Sequence, residues 1–161
     1  MYNKIVIITN LKLFHLSNHY NNMKGDAMMS VVQLMTDKGV KPSALRLQIY
    51  DYLDRHRCHP TVDEIYVGLS ENFPTLSKTT VYNTVNLLAE NAIIKAISIE
   101  GFRTRYDANT TFHGHFFCKD CQTVYDIWNL PCPDNPGEEF EVADTEVFYT
   151  GRCKNCLKNK K

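Results

Sequence analysis

The sequence predicts an α+β protein. An N-terminal winged helix-turn-helix region is followed by a small strand-rich region closed by a four-cysteine zinc site. Three observations carry this prediction. Apolar residues recur at helical spacing from about residue 28 to 90, and the period changes to two beyond Asn91. Two Cys-x-x-Cys pairs, Cys118/Cys121 and Cys153/Cys156, stand near the end of the chain. A run of helical periods followed by strand periods places the two element types in separate regions.

The bulk composition agrees with a soluble globular chain. Hydrophobic residues are 43% and charged residues 22% of 161, the usual balance for an ordinary domain or two small ones. No apolar run is long enough to cross a bilayer. Ile5–Ile8 is apolar, but Thr9, Asn10 and Lys12 interrupt it, too soon for the core of a signal peptide. A cytoplasmic location is expected. Net charge is zero, which does not advertise nucleic-acid binding. The charge is uneven, however. Lys38, Lys41, Arg46, Arg55 and Arg57 enrich the front, while Glu138, Glu139 and Glu141 make the segment 134–146 acidic. A basic front can meet phosphate with the acidic groups held elsewhere.

Residues 1–27 are rich in Asn and carry no sustained period, so a disordered extension is expected there, with Met23, Met28 and Met29 as alternative starts. Val31, Val32, Leu34 and Met35 then mark a helix that Gly39 ends. Ser43 caps a second helix, whose apolar face is Leu45, Ile49, Tyr52 and Leu53. Thr61 caps a third, with Asp63 and Glu64 in its first turn and Ile65, Leu69 and Phe73 on its buried side, and Pro74 stops it.

Ser77 caps a fourth helix running to about Glu90. Val81, Val85, Leu88 and Ala89 face inward, and Lys78, Thr79, Tyr82, Asn83 and Asn86 face outward. Short helices ending in one with a small, polar outer face describe a helix-turn-helix, although a plain helical bundle has the same pattern. Residues 93–99 read as a strand, Glu100-Gly101 as its turn and Thr104-Arg105-Tyr106 as the returning strand. A hairpin placed there is a wing, from which Arg103 and Arg105 can reach phosphate. Asn109-Thr110-Thr111 is a polar hinge. Strands are expected at 115–118, 123–128 and 146–150, and a frayed Lys-rich tail at 158–161.

Four cysteines in two tight pairs read as metal ligands rather than as disulfides. Each knuckle points two thiolates at one ion, and four thiolates close a tetrahedral zinc site with no open position, so the role is structural. A zinc deaminase or hydrolase needs an open position and a nearby Glu, and no His-x-Glu pair accompanies these cysteines. A zinc-ribbon interaction module without DNA binding is disfavoured by the helix-turn-helix and wing. His113, His115 and Asp126 are harder donors that suit a second, different metal. His59 and Asp107 join them as candidates. Taken singly, His59 also reads as a capping or core histidine, Asp107 as a turn residue and Asp126 as a surface strand residue.

Several stretches together are recognisable. They are Gly39-Val40-Lys41-Pro42-Ser43-Ala44-Leu45-Arg46, His59-Pro60-Thr61-Val62-Asp63-Glu64-Ile65-Tyr66, Ser77-Lys78-Thr79-Thr80-Val81-Tyr82-Asn83-Thr84, Arg105-Tyr106-Asp107, His113-Gly114-His115-Phe116-Phe117-Cys118 and the final knuckle. In order and spacing the chain resembles the ferric uptake regulator (Fur) family of metal-dependent repressors, from about residue 30 to 157. The resemblance implies a winged-helix DNA-binding domain at 28–108, a hinge at 109–112 and a small α/β dimerisation domain at 113–157. It implies structural zinc on Cys118, Cys121, Cys153 and Cys156, and a regulatory Fe2+ or Mn2+ on His59, Asp107, His113, His115 and Asp126.

The partners it implies are a second copy of the chain and a double-stranded DNA operator, with no membrane. The operator is met by Lys41, Arg46, Lys78, Thr79, Thr80, Tyr82 and Asn83. Asp126 after Val124-Tyr125 looks like the peroxide-sensing (PerR-like) branch, where iron sensors more often carry glutamate. That branch implies iron-dependent oxidation of His59 and His113. A sensor of iron or zinc sufficiency is the alternative. Two features depart from the family pattern. The segment 129–144 is short and proline-rich where the family has an amphipathic dimerisation helix, and Cys132 within it has no assigned role. Cys58, beside His59, is expected to be a small buried residue, with membership of a zinc-sensing site or oxidation as the alternatives.

Overall fold

The structure, a computed structural model, describes residues 25–99, 102–131 and 137–158. The expectations for residues 1–24, for the Glu100-Gly101 turn, for Cys132 and its flanking prolines and for the tail at 159–161 lie outside the described residues. The chain divides between Leu47 and Gln48 into two compact units. In the first unit α1 (Gly25–Asp37) begins ahead of the expected start at Met28. It closes on Gly39, whose φ of +73° favours glycine. The Gly39 N–H donates to the Thr36 carbonyl and the Val40 N–H to the Met35 carbonyl, which satisfies two of the free carbonyls in the last turn of the helix. Met35 and Val40 are buried. The helix α2 (Ala44–Arg55) starts after Ser43, whose hydroxyl accepts from the Arg46 N–H, and carries the chain into the second unit.

The second unit holds the rest of the fold. Ile49 and Leu53 of α2 are buried, as their spacing predicts. The helix α3 (Val62–Ser70) opens on a reciprocal cap: Thr61 accepts from the Glu64 N–H, and the Glu64 carboxylate accepts from the Thr61 N–H. It ends at Ser70, short of the expected Phe73. Phe73 precedes Pro74, whose ring disfavours helical backbone at that position. The helix α4 (Lys78–Glu90) is capped by Ser77, and packs against α3 with Val81, Thr84, Val85 and Leu88 buried. Its C-terminus repeats the closing device of α1, with Ala92 in the positive-φ place.

The wing is a short antiparallel hairpin, β1 (Lys95–Ile97) with β2 (Arg105–Asp107). Residues 59–61 dock along β2: the Tyr106 N–H donates to the Pro60 carbonyl, and Thr61 bridges to Arg105. The start of α3 is thereby tied to the strand that ends in Asp107. A three-stranded sheet follows, in the order β4-β3-β5. Its centre β3 (Gly114–Cys118) runs antiparallel to β4 (Val124–Ile127) and parallel to β5 (Phe148–Gly151). Ile97 and Ile99 from the wing cluster with Phe117 and Val124 of the sheet, and this small core fixes hairpin to sheet. A five-residue helix α5 (Lys154–Lys158) closes the described chain. Among the described residues of 129–144 there is no helix.

Cys58 corrects an expectation. It is exposed rather than buried. The chain after α2 turns over the surface, with the Cys58 N–H donating to the His56 carbonyl, and the next residue turns inward instead. That residue is His59, at φ +52° and 2% exposed. Among the described residues no helix is long and apolar enough to cross a membrane.

Candidate metal centres

The cysteine cluster is built by pairing two strand ends. Cys118 is the last residue of β3 and lies level with Gly151, the last residue of β5. The Lys119 N–H donates to the Gly151 carbonyl, so the two knuckles start side by side. The first knuckle turns back through Gln122, whose φ is +57° and whose N–H donates to the Cys118 carbonyl. The second is formed by the first turn of α5, with Cys153 just before it and Cys156 within it. All four sulfurs lie within 4.8 Å of one another, and Cys121 and Cys153 are 3.9 Å apart. A tetrahedron with metal–sulfur bonds of about 2.3 Å has edges of about 3.8 Å, so the donors fit zinc.

Two of the thiols, Cys153 and Cys118, already lean toward the anionic form that a metal needs. Cys153 is pushed down to about 6, first by the Cys156 backbone N–H and then by the Tyr125 hydroxyl. Cys118 is lowered by the Cys121 backbone N–H. Cys156, whose proton serves the Cys153 thiolate, is pushed up to about 12.

The second cluster draws on separate segments. His59 comes from the entry to α3, Asp107 from the end of β2, His113 from just before β3 and His115 from within it, and Asp126 from β4. Strand pairing sets His115 directly across from Asp126, on the face that Phe117 and Val124 share below them. His59 Nε2 is 2.7 Å from Asp126 Oδ1 and 3.7 Å from Asp107 Oδ2. His113 Nε2 lies 3.1 Å from Asp107 Oδ2 and 3.5 Å from Asp126 Oδ1, and His115 Nε2 lies 3.8 Å from Asp107 Oδ2. One donor atom from each of the five residues falls within 4.8 Å of all the others.

These inward atoms lack hydrogen-bond partners although they are buried: His59 Nε2, Asp107 Oδ2, His113 Nε2, His115 Nε2 and Asp126 Oδ1. Buried polar atoms left unpaired are costly, and their convergence on one point is what a bound cation would relieve. Three imidazoles with two carboxylates form a mixed nitrogen–oxygen set, suited to ferrous iron or manganese rather than to the thiolate-loving metals. Burial pushes the Asp107 carboxyl up. The His115 and His59 rings and the Asn109 N–H outweigh it and hold that carboxyl well below the usual range, so it is ready as an anion.

Two supporting residues have no motif to announce them. The Thr111 carbonyl lies 2.8 Å from His113 Nδ1, which sets that nitrogen as the donor and leaves Nε2 free to face the cluster. Trp128 stacks on the same imidazole. Its only sequence signal is the alternation Val124, Asp126, Trp128, which sets all three on one face of the strand.

The expected DNA-contact residues divide between the two units. In the second unit Lys78, Thr79, Thr80, Tyr82 and Asn83 are all exposed on α4. Lys78 Nζ is 2.7 Å from Asp63 Oδ1, and the Thr80 hydroxyl is engaged with the Ser77 cap. Lys41 and Arg46 belong to the first unit, where the Arg46 guanidinium donates to the Lys41 carbonyl. The wing arginines have partners of their own. Arg103 pairs with Asp63. Arg105 turns inward, donating to the His59 carbonyl at 2.9 Å and lying 3.3 Å from Glu64 Oε2.

Comparison with known proteins adds a frame for this geometry. A model of the ferric uptake regulator family matches residues 37–138. The peroxide-responsive repressor PerR of Staphylococcus epidermidis is 32% identical over 124 residues, covering 73% of this chain and 82% of that protein. The peroxide operon regulator of Bacillus subtilis is 27% identical over 144 residues, covering 86% and 99%. Among solved structures, the ferric uptake regulator of Helicobacter pylori matches with a TM-score of 0.66 at 18% identity, covering 83% of this chain and 96% of that one. The likeness to that structure is one of fold.

Proposed function

This chain belongs to the ferric uptake regulator family, and on that premise we propose that it is a metal-dependent repressor that senses hydrogen peroxide through oxidation of metal-bound histidine. One observation carries the reading: the unpartnered donor atoms of His59, Asp107, His113, His115 and Asp126 converge within the second unit. Zn2+ sits on the four cysteines and is structural. Fe2+ or Mn2+ sits on the His/Asp cluster and is regulatory. The working form is a cytoplasmic homodimer on a double-stranded DNA operator, with Lys41, Arg46, Lys78, Thr79, Thr80, Tyr82 and Asn83 at the DNA.

The domain assignment proposed is a winged-helix domain at 28–108, a hinge at 109–112 and a zinc-containing dimerisation domain at 113–157. His59 then lies on the DNA-binding side of the hinge, and His113, His115 and Asp126 on the other. Holding them at one point selects a single angle between recognition helix and sheet, and only that angle suits successive major grooves.

Ferrous iron at this centre would activate peroxide beside the rings, so that overall one peroxide oxygen would end on a ring carbon and the other would leave as water. His59 and His113 are the rings proposed to gain oxygen. A ring so changed no longer offers its nitrogen to the cluster. With a ligand lost the cation would be held less tightly, and on its release the Asp107 and Asp126 carboxylates, whose inward oxygens lie within 4.8 Å of one another, would be left without positive charge between them. Their repulsion favours separation of the segments that carry them, and the DNA-competent angle is lost. Manganese would keep the same arrangement without the oxidation. The peroxide branch is favoured over sufficiency sensing because Asp126 stands at the branch-marking position and the curated relatives are named for peroxide.

The test is mass spectrometry of iron-loaded and manganese-loaded protein after brief peroxide exposure. A one-oxygen gain on His59 or His113, with iron alone, is the expected result. Unmodified histidines with intact operator binding would move the assignment to a sensor of iron or zinc sufficiency. Oxidation confined to the thiols would point to cysteine chemistry instead.

A further inference from the structure

We propose that Trp128 is a positioning residue of the His/Asp centre, a flat cover that holds the His113 imidazole in the plane its Nε2 needs to meet the other donors. This rests on the reading of that cluster as a metal centre. Trp128 is the single tryptophan of the chain. It lies just past the end of β4, on the face that carries Asp126. Its indole stacks on the His113 ring, with centroids 4.7 Å apart and planes 21° from parallel. The His113 side chain has no exposure, whereas Trp128 is 48% exposed. The indole is therefore the wall between this imidazole and solvent, and its outer face stays wet.

The other constraints on His113 leave one motion open. Thr111 holds Nδ1 at 2.8 Å, and a single contact of that kind lets the ring rock about it. His115 meets the ring at 66°, its centroid 4.5 Å away, which limits one side. The indole lies nearly parallel to the ring and covers one of its faces. Rocking would swing Nε2 away from Asp107 and Asp126, which it faces at 3.1 Å and 3.5 Å. Loss of a group that orients a ligand imidazole typically costs about 10- to 100-fold in metal affinity. A flat aromatic surface is what this function requires, and apolar bulk alone does not supply it.

The experiment compares Trp128→Phe, Trp128→Leu and Trp128→Ala with the parent, all full-length and zinc-loaded. Mn2+ affinity is read from the free-ion signal in electron paramagnetic resonance. Zinc content and far-ultraviolet circular dichroism are recorded alongside. Trp128→Phe, which keeps a flat ring, is expected within about threefold of the parent. Trp128→Leu and Trp128→Ala are expected to bind Mn2+ about 10- to 100-fold more weakly at unchanged zinc content, the range for loss of a ligand-orienting partner. Leucine matching phenylalanine, or alanine matching the parent, overturns the proposal. Should the alanine protein fail to fold, the phenylalanine–leucine comparison decides alone. A parent that binds no Mn2+ removes the metal-centre reading itself and this role with it. A parent that binds while leucine equals phenylalanine removes only the role of Trp128.

Discussion

The two donor clusters use opposite constructions. The cysteines come from two short turns, each of four residues, set level by the pairing of β3 with β5. The His/Asp cluster spans His59 to Asp126 and needs the entry to α3, the wing and the sheet to arrive together. A cluster made by local turns keeps its geometry whenever its strands pair, so its metal acts as part of the fold. A cluster made from distant segments exists only in one arrangement of those segments. In the proposed mechanism its metal selects that arrangement, and loss of one ligand releases it. Thiolates against imidazoles and carboxylates sharpen the contrast, because each set prefers a different ion.

The largest expected effect breaks the comparison on the cysteine side. Cys153→Ser removes one of the four sulfurs while keeping the Cys153 backbone N–H that donates to Cys118 Sγ. Zinc content is expected to fall from one per chain to none, with loss of the sheet's cooperative melting. Structural zinc in small domains contributes about 10 kcal/mol or more, comparable to the whole stability of an ordinary domain. A variant that melts at the parent temperature without zinc would show that the cysteines are not structural.

Next in size is the ligand side. His113→Ala leaves the Asp107 and Asp126 oxygens facing a gap. Metal-dependent operator binding is expected to fall by more than about 100-fold, since removing a ligand costs at least as much as removing its support. Zinc content and melting are expected to stay as in the parent. Zinc loss in this variant would merge the two clusters into one unit and end the contrast drawn between them.

Arg105→Gln probes the connection between wing and cluster. The guanidinium donates to the His59 carbonyl and approaches the Glu64 carboxylate that caps α3. It braces a histidine whose φ of +52° is an unfavourable place for a residue with a side chain. Mn2+ affinity is expected to drop about tenfold with zinc unaffected, the lower end for loss of an orienting partner. An unchanged Mn2+ titration would mean that the docking of residues 59–61 along β2 holds His59 by itself.

The contrast between the clusters also explains how much of each was legible in the sequence. Cys-x-x-Cys states its geometry within four residues, so the zinc site is readable from spacing. The capped starts of α3 and α4 are equally local, at Thr61 and Ser77, and both stand where the capping residues place them. His59, Asp107 and Asp126 have no local mark as ligands. Only resemblance to a family assembles them, because their meeting depends on how hairpin and sheet share the small core of Ile97, Ile99, Phe117 and Val124. Arg105 reads as a phosphate ligand on a wing, but residues 59–61 dock on its strand and turn it inward. Cys58 and His59 are adjacent, and no pattern says which of them the positive-φ turn will bury. Trp128 follows Asp126 in the alternation of the strand, a signal that gives its face without its neighbour.

The smallest expected effect falls on Cys58, the thiol next to a ligand of one cluster and chemically akin to those of the other. It is exposed, and both donor sets close without it. Cys58→Ser changes one surface atom, so stability is expected to move by no more than about 0.5 kcal/mol. Zinc content and Mn2+ affinity are expected to match the parent. The measurement that matters is the Mn2+ titration run beside a zinc competition. A drop in either would place Cys58 in a cluster, and because its backbone leads directly into His59, a drop in Mn2+ affinity alone would assign it to the imidazole side. Unchanged values in both leave two sites with separate chemistries, neither of which uses the Cys58 thiol.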